Sequence, residues 1–314
     1  MSNNSTLTAG IDTAKDTLDV AVHGRTTRFT VDNNRTGWKR LAGELIKAGV
    51  QRVGIEATGG YERGVTLHLR VVGLTVLVLQ PLQAKAYARL HLRRAKNDRI
   101  DAALIAACTQ AIDPQRVEPD ARLVPLADHL TFIEQIEEDT ARLKTRLEHI
   151  YDRRLRGIVS KEIVRHETMR ASELRHIAKA LRGHQDLARR FDLILSVPGI
   201  GERTAIALMV RMPELGQISR EQAAALAGLA PFDDDSGRHK GERHIAGGRG
   251  RLRRSLYAAA LPAAFRWNSA LKALYARLIA RGKPHKIALV ACARKLLIFA
   301  NTVVERGTPW VQTT

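Results

Sequence analysis

Residues 94–104, RAKNDRIDAAL, place Asp98 and Asp101 three positions apart in a strongly basic stretch. At this spacing both carboxylates lie on one face of the helix that the following apolar residues predict. A single aspartate at such a place is usually a helix N-cap, a first-turn residue or the partner of an arginine. The pair therefore acquires a functional meaning only together with acids elsewhere in the chain.

Two further acids come where upstream strands are predicted to end. Asp12 in GIDTAK and Glu56 in VGIEATGG each stand where an apolar run meets polar residues, and Gly59 and Gly60 leave room for a bulky ligand. If the two strands are neighbours in one sheet, their carboxylates emerge side by side. A helix packed beside those strands then brings four acids to one point.

Short strands and helices alternate from Thr8 to about Thr109, which predicts the order βββαβαβα and an α/β domain with a mixed sheet. Its first helix is predicted over residues 36–49, with Thr36 as the cap and Gly49 as the stop. Residues 124–183 are charged, with apolar residues every three to four positions. This pattern favours a long helix or helix pair that forms a coiled-coil arm, or equally a helical linker packed on its own domain.

The remaining chain is predicted to be mainly helical, which gives domains at 1–123, 124–183 and 184–314. Within SVPGIG, residues 196–201, Gly199 and Gly201 suggest a helix-hairpin-helix whose backbone N–H groups approach a phosphate. Because short Pro-Gly turns between helices are common, this motif alone is weak evidence.

The balance of charge points to a polyanionic partner. Lys and Arg number 51 against 32 Asp and Glu, a formal net charge of +19, and nucleic acid is the leading candidate. The longest apolar run, residues 71–82, is too short to span a membrane, and no secretory signal is visible. We therefore expect no membrane partner and a location in the cytosol with the nucleoid. The two cysteines, Cys108 and Cys292, exclude a Cys-rich zinc site and are expected to be buried.

Four converging carboxylates are the ligand set that hard divalent cations prefer, and metal-assisted phosphoryl transfer requires such a set. Mg²⁺, or Mn²⁺ in its place, is the expected ion. Basic residues near the helix would hold a nucleic-acid backbone beside it. These predicted contacts are Lys85, Arg89, Arg93, Arg94, Lys96 and Arg99.

A second basic segment follows in the C-terminal region. Residues 238–254 contain seven Lys or Arg against the single acid Glu242, and four glycines. Such a loop suits contact with a phosphate backbone or an RNA, although a solvated charge run is the usual meaning of this composition. The predicted contacts are Arg238, Lys240, Arg243, Arg249, Arg251, Arg253 and Arg254. Ser236, just before them, suggests only a turn residue when taken alone, with His239 and His244 as available bases.

The motifs GIDTAKDTLDVAV, IEATGGYER and RAKNDRIDAALIA resemble the N-terminal domain of the DEDD-type insertion-sequence transposases, which are described as bridge-RNA-guided serine recombinases. The resemblance implies a RuvC-like RNase H fold and assigns the family's four catalytic, metal-binding acids to Asp12, Glu56, Asp98 and Asp101. It extends from about Gly10 to about Ala300 and includes the SVPGIG turn.

In the C-terminal domain of this family a serine follows an Ala-Pro pair and precedes a Gly- and Arg-rich segment, and Ser236 fits that place. The resemblance implies that Ser236 is the nucleophile that forms a transient phosphoserine link to DNA. It also implies donor and target DNA, a structured noncoding guide RNA, and a homo-oligomer of dimers that assemble into a tetramer. Acids and serine would then meet across subunits.

Two alternatives remain open from the sequence. A hydrolytic RuvC-like nuclease of the junction-resolvase type would use the same four acids and attack with water. A non-catalytic, basic RNA-binding protein would need neither the acids nor the serine. The acids among basic residues argue against the second alternative, because they weaken simple phosphate binding unless a metal ion is present.

Overall fold

A computed structural model describes residues 6–91, 98–112, 120–232, 235–236, 239–240 and 244–311. The chain divides into two compact units, Met1–Arg116 and Val117–Thr314. The first contains a mixed five-stranded sheet and the second is almost entirely helical. The α/β fold predicted for the N-terminal region and the helical fold predicted for the C-terminal region are confirmed.

The sheet of the first unit has the strand order β3-β2-β1-β4-β5. The strands β1, β2 and β3 form an antiparallel meander, and β4 and β5 add to β1 in parallel. The elements of this unit are β1 (Thr8–Thr13), β2 (Thr17–Val22), β3 (Arg28–Asp32), α1 (Arg35–Lys47), β4 (Arg52–Glu56), α2 (Arg63–Val71), β5 (Thr75–Leu79), α3 (Pro81–Leu90) and α4 (Asp98–Ala111). The expected adjacency of the strands before Asp12 and Glu56 is therefore found.

Helices cover both faces of this sheet. On one face, Ile11 and Ile55 belong to a buried core with residues of α1 and α2. On the other face, Ile105 and Cys108 of α4 pack with Leu77 and Leu79 of β5. Since side chains alternate along a strand, the odd-numbered residues of β1 lie in the first core and its even-numbered residues face α4.

Two local predictions in this unit need correction. The cap of α1 is Asn34, whose side chain accepts a hydrogen bond from the Gly37 backbone, and not Thr36. The sequence also predicts no helix between β5 and Asp98, whereas α3 begins there with Pro81 in its first turn and a capping box between Gln80 and Gln83. The predicted stop at Gly49 and the predicted start of a helix at Asp98, which is α4 in the structure, are confirmed.

The second unit opens with a helical hairpin, α5 (Val124–Glu148) and α6 (Arg153–Arg182). Cross-helix pairs such as His129–Glu173 and Lys144–Glu167 show that the two helices are antiparallel. The sequence predicted either one long helix or a helix pair for this segment, and the helix pair is correct. The later elements are α7 (Gln185–Leu195), α8 (Glu202–Arg211), α9 (Arg220–Leu226), β6 (Pro231–Phe232), β7 (Asp235–Ser236), β8 (His239–Lys240), β9 (His244–Ile245), α10 (Gly250–Pro262), a π-helix (Ala263–Trp267), α11 (Ser269–Ala280) and α12 (His285–Arg306).

Helix α12 is long and apolar enough to cross a membrane by length and composition alone, with a mean hydropathy of 1.8 over 18 residues. Half of that stretch is buried inside the unit, and Leu289, Cys292, Leu296 and Leu297 belong to the main core. Such burial is typical of the central helix of a packed helical domain. Cys292 is buried there as predicted, and burial raises the pKa of its thiol to about 11.

A network of ion pairs joins α5 to α8 and α10. Glu134, whose side chain is only 7% exposed, accepts from Arg211 and Arg251, each at 2.7 Å, and lies 3.7 Å from Arg203. Burial would raise the pKa of Glu137, but hydrogen bonds from Arg203 and Arg170 outweigh it and hold that pKa below its ordinary value. The contribution of Glu137 to stability is complete above its ordinary pKa and is lost as the pH falls through the lowered one.

Replacing Glu134 with alanine is expected to destabilise the protein by about 3 to 5 kcal/mol, because the half-buried Arg203 and Arg211 and the more exposed Arg251 lose their shared, buried partner. Urea denaturation followed by circular dichroism measures the change. Glu138→Ala is the matched control: this side chain is 46% exposed and pairs with the exposed Arg254, so its loss should cost less than about 1 kcal/mol. Equal effects of the two substitutions would contradict a buried network centred on Glu134.

Candidate functional site

Asp12 and Glu56 occupy equivalent places on two adjacent parallel strands. Ile11 of β1 pairs with Ile55 of β4, and each acid is the next residue along its strand. Because side chains alternate, Asp12 shares a face with Gly10 and Glu56 shares a face with Gly54. Both acids are half-buried. The two carboxylates thus emerge from neighbouring strands on the same face of the sheet.

Helix α4 packs directly on that face. A Cβ atom added to Gly10 would overlap the carbonyl oxygen of Ala102 and the amide nitrogen of Ala106, and one added to Gly54 would overlap Oγ1 of Thr109. Backbone therefore lies against backbone where β1 and α4 cross. This close approach needs glycine on the strand, and it brings the helix within reach of the strand ends.

The direction of α4 places its first turn beside Asp12. The hydroxyl of Thr8 donates to Gln110 Oε1 at 2.9 Å, whereas Gly10 lies under Ala102 and Ala106. Two residues of a strand are about as long as four residues of a helix. Moving along β1 from Gly10 to Asp12 therefore corresponds to moving about four residues back along α4, to its first turn at residues 98–101. The backbone thus brings all four predicted acidic positions to one end of the sheet.

The structure describes the side chains of three of these acids. Asp101 is half-buried, like Asp12 and Glu56, whereas the side chain of Asp98 lies outside the described part. Within the part that is described, no group of three or more His, Cys, Asp or Glu is close enough to hold a metal ion. The donor chemistry nevertheless fits, because all four positions carry the carboxylate oxygens that Mg²⁺ and Mn²⁺ select.

The sheet adds an acid that the sequence analysis missed. Asp19 of β2 is the direct cross-strand partner of Asp12 in the antiparallel pair β1–β2. It is half-buried and accepts a hydrogen bond of 2.5 Å from the Thr30 hydroxyl. Like charges directly opposite each other are unfavourable, so this pairing increases the attraction of the sheet end for a cation. The sequence signal that could have revealed Asp19 was the short turn between β1 and β2, which sets the register in which Asp19 faces Asp12.

The basic residues predicted near the acids are described only in part. Lys85 and Arg89 are exposed on α3, four residues apart and therefore on one helical face. Arg93, Arg94 and Lys96 lie outside the described residues, as does the side chain of Arg99. The contact of these residues with nucleic acid remains a prediction.

Ser236 lies in a segment that the sequence analysis treated as a loop. The structure contains two short antiparallel ladders there, β6 with β9 and β7 with β8, and the backbone register pairs Ser236 with His239. The side chains of both residues, and of Lys240, are outside the described part, and Arg238 and Arg243 are outside it entirely. The role of Ser236 as nucleophile stays a prediction.

Four of the predicted nucleic-acid contacts make pairs inside the second unit. Arg249 pairs with Glu214, and Arg251 with Glu134, as described above. Arg254 pairs with Glu138, and Arg253 donates to the carbonyl of Gly247 at 2.6 Å. Arg254 keeps 63% of its side chain exposed and Arg251 keeps 42%. These two remain accessible to a phosphate group.

The SVPGIG turn connects α7 to α8, as the sequence predicts. Gly199 has a φ of +99°, and a Cβ atom there would overlap the Cβ of Ala263 in the π-helix. Gly201 is the N-cap of α8, and a Cβ atom added to it would have no other atom within 4 Å. Gly199 is thus required for packing, whereas Gly201 leaves the start of α8 open; phosphate binding by either stays a prediction.

Two family models match this chain. Residues 9–153 match a model of DEDD transposases of the IS110 type, described as "Transposase", and residues 191–276 match the "Transposase IS116/IS110/IS902 family". The first match contains Asp12, Glu56, Asp98 and Asp101, and the second contains Ser236.

The chain belongs to the IS110 family of DEDD transposases. Membership makes the protein a DNA-processing enzyme, and transposases of this family usually use divalent metal ions. The resemblance found in the sequence motifs is thereby confirmed at the level of the family.

Curated relatives agree with this assignment. The transposase is 27% identical over 314 residues to the "Pilin gene-inverting protein" of Moraxella bovis, with 96% of each chain covered, and equally similar to that of Moraxella lacunata. It is 33% identical over 118 residues to the "Insertion element IS110 uncharacterized 43.6 kDa protein" of Streptomyces coelicolor, which covers 37% of this chain and 29% of that protein.

The helix-to-strand contact of this transposase yields a prediction. Gly10→Ala is expected to destabilise the first unit by about 2 to 3 kcal/mol and to reduce DNA cleavage, because any side chain there must push α4 and its acids away from β1. Urea denaturation and a cleavage assay measure the two effects. Gly43→Ala is the control, since Gly43 lies in α1 with nothing within 4 Å of an added Cβ, and alanine there should stabilise by about 1 kcal/mol. Full stability and activity of Gly10→Ala would contradict the close approach.

Proposed function

We propose that this transposase is a metal-dependent, RNA-guided DNA recombinase with a RuvC-like, RNase H-type first unit, which cuts and rejoins DNA through a covalent phosphoserine link. The observation that carries the proposal is the placement of four acidic positions at one end of the sheet: Asp12 and Glu56 on adjacent strand ends, with the first turn of α4 beside them. The strand meander followed by alternating helices and strands supports the fold.

Asp12, Glu56, Asp98 and Asp101 would hold Mg²⁺ or Mn²⁺. When bound, the ion supplies Lewis-acid stabilisation of charge that develops on the phosphate oxygens. The acids themselves keep the ion beside the backbone of the DNA, and the exposed Lys85 and Arg89 on α3 hold neighbouring phosphates. Backbone contacts of this kind position DNA without reading its sequence.

Ser236 is the proposed nucleophile. Its Oγ forms a bond to phosphorus, the phosphorus–oxygen bond to one strand end breaks, and that end leaves as a hydroxyl when the base returns the proton that it took from the serine. The serine proton passes to a base, for which His239 at the paired register position is the candidate; the pH dependence of adduct formation in His239→Gln tests this. The reverse reaction with another strand end rejoins DNA without an external energy source, because the phosphoester bond is kept throughout.

Sequence specificity would come from a structured noncoding RNA that pairs with donor and target DNA, while the protein reads backbone and shape. The excess of basic residues supports such polyanionic partners. The α5–α6 hairpin is the proposed contact between copies, in dimers that assemble into a tetramer, and Leu155 and Ile158 are apolar residues exposed on it. With these partners, the proposed location is the cytosol, with the DNA.

The test is an adduct assay with purified protein, labelled DNA, Mg²⁺ and the noncoding RNA encoded beside the gene. The proposal expects a protein–DNA adduct that resists denaturant and requires both the RNA and the ion. Cleavage without an adduct would leave a hydrolytic nuclease instead, which uses the same acids. Binding of RNA without cleavage of any DNA would support the non-catalytic alternative.

A further inference from the structure

Three aromatic rings cluster on the surface of the second unit, where the π-helix joins α10 to α11. Phe265 lies in the π-helix, Tyr275 in α11, and His285 is the first residue of α12. The rings of Phe265 and His285 are within 20° of parallel, with centroids 6.4 Å apart. Tyr275 is edge-on to both, at 5.0 Å from Phe265 and 5.7 Å from His285. Two near-parallel rings therefore contact a third ring, whose plane is inclined by 66° to Phe265 and by 82° to His285.

The outer surface of this cluster is open. A centroid separation of 6.4 Å is near the upper limit for stacked rings, and Phe265 is 47% exposed although phenylalanine is usually buried. His285 is exposed as well. Ring surface is thus left for a further planar group.

Hydrogen bonds of neighbouring residues hold the cluster in place. The Tyr275 hydroxyl and Nδ1 of His285 are 2.6 Å apart, which fixes α11 to the start of α12. Asn268, which is 3% exposed, ends the π-helix, caps α11 and donates to the Pro198 carbonyl in the SVPGIG turn. A π-helical turn is rare and is often found at functional sites. The exposed rings are therefore part of a rigid platform and not of a mobile surface loop.

The charge of the segment that carries the rings indicates the class of ligand. Residues 262–287 contain six cations and no Asp or Glu, and all six cations are exposed. They are Arg266, Lys272, Arg277, Arg281, Lys283 and Lys286. Aromatic clusters also bind alkylammonium groups, but this excess of positive charge repels cations. A planar group that carries negative charge, a nucleotide, satisfies both the rings and the charge.

We propose that Phe265, Tyr275 and His285 form a stacking site for an unpaired base of single-stranded DNA, whose phosphates lie against the surrounding lysines and arginines. The inference rests on the proposed function in one respect: strand cleavage and exchange leave DNA bases unpaired, and this makes DNA the ligand. Stacking on aromatic rings is tolerant of sequence, because every base has an aromatic face.

The test measures the affinity of the full-length protein for a fluorescein-labelled single-stranded oligonucleotide by anisotropy, without divalent metal or guide RNA. Phe265→Ala is expected to weaken binding by about 5- to 100-fold, the usual effect of removing one stacking ring. Phe265→Trp should keep the affinity. Phe132→Ala is the matched control, because Phe132 is 44% exposed on α5 outside the cluster, and it should leave binding unchanged. Thermal melting verifies that each variant folds.

Two further arms identify the ligand. A duplex of the same sequence should lose less than about two-fold in affinity on Phe265→Ala, because its bases are already stacked. Equal losses for duplex and single strand, or equal losses for Phe132→Ala and Phe265→Ala, would overturn base stacking at this cluster. The second arm is a single-stranded RNA of the same sequence. If Phe265→Ala weakened the binding of this RNA alone, the assignment to DNA would be overturned. This binding assay does not depend on cleavage. If the adduct assay found no covalent adduct, the proposed reaction would be refuted, but the stacking site would still be tested by binding alone.

Discussion

Replacing Ser236 with alanine is expected to abolish the denaturant-resistant protein–DNA adduct and with it strand exchange. The substitution removes a single oxygen atom, the one that forms the bond to phosphorus in the proposed reaction. Loss of a covalent nucleophile typically costs about 10³-fold or more in rate. Affinity for DNA and RNA should stay within about two-fold, because the charged residues that hold the backbone are unchanged.

The measurement is a denaturing gel with labelled DNA, which separates the adduct from free DNA and from cleaved strands. Ser160→Ala is the control, because Ser160 is an exposed serine on α6 that takes no part in the proposed chemical step. Cleavage that continues in Ser236→Ala without any adduct would mean that water attacks, and the protein would then be a hydrolytic nuclease. An adduct that persists in Ser236→Ala would require another nucleophile and would also refute the assignment.

The first unit was predictable because its signals are local. Alternating apolar residues mark β2, a continuous apolar run marks β5, and the glycine at position 49 ends α1 as expected. The convergence of Asp12 and Glu56 depended on the condition that their strands are neighbours, which local patterns leave open. The order β3-β2-β1-β4-β5 satisfies that condition. The close crossing of α4 over Gly10 was not predictable, because it depends on backbone atoms about 90 residues away along the chain.

The misses have distinct physical causes. Helix α3 was overlooked because its basic residues were interpreted only as nucleic-acid contacts, although Gln80, Pro81 and Gln83 form a helix start. Asp19 was overlooked because it faces Asp12 only through the register of a hairpin. The pairing of Arg251 with Glu134 joins residues 117 positions apart, so no pattern in the basic segment could reveal it.

The Arg-rich segment 238–254 illustrates why composition alone gives an incomplete answer. Its last part begins α10 at Gly250, and Arg249 and Arg251 make ion pairs with Glu214 and Glu134. Pairing with a buried acid fixes the position of a guanidinium group, whereas an arginine on a solvated loop is free to follow a phosphate backbone. The same residue type therefore serves packing at one position and remains accessible, as Arg254 does, at another.

Replacing Asp12 with asparagine is expected to reduce adduct formation by about 10³-fold or more and to remove the stabilisation of the protein by Mg²⁺. Asparagine has almost the same shape, so the change removes charge at the strand end where Glu56 and the first turn of α4 meet. A divalent ion that binds only the folded state raises its stability, and the rise grows with the logarithm of the ion's affinity. Thermal melting with and without Mg²⁺ measures that rise separately from catalysis.

Asp32→Asn is the matched control for this substitution. Asp32 is an exposed aspartate at the end of β3 in the same sheet, two strands across from Asp12, so it carries the same charge without being one of the four proposed ligands. Asp32→Asn should keep both activity and the response to Mg²⁺. If Asp12→Asn instead kept the full rise in melting temperature, the four acids would not act as one metal site, even if cleavage were lost.

The two inactive variants together test whether acids and serine act from different copies of the chain. Asp12 lies in the unit Met1–Arg116 and Ser236 in the unit Val117–Thr314, so each variant keeps one of the two intact. If the reacting site combines the acids of one copy with the serine of another, a mixture of Asp12→Asn and Ser236→Ala protein should regain adduct formation, which neither shows alone. The adduct should then form only on the Asp12→Asn chain, which an affinity tag on that chain identifies. A mixture as inactive as its components would mean that acids and serine must belong to the same copy.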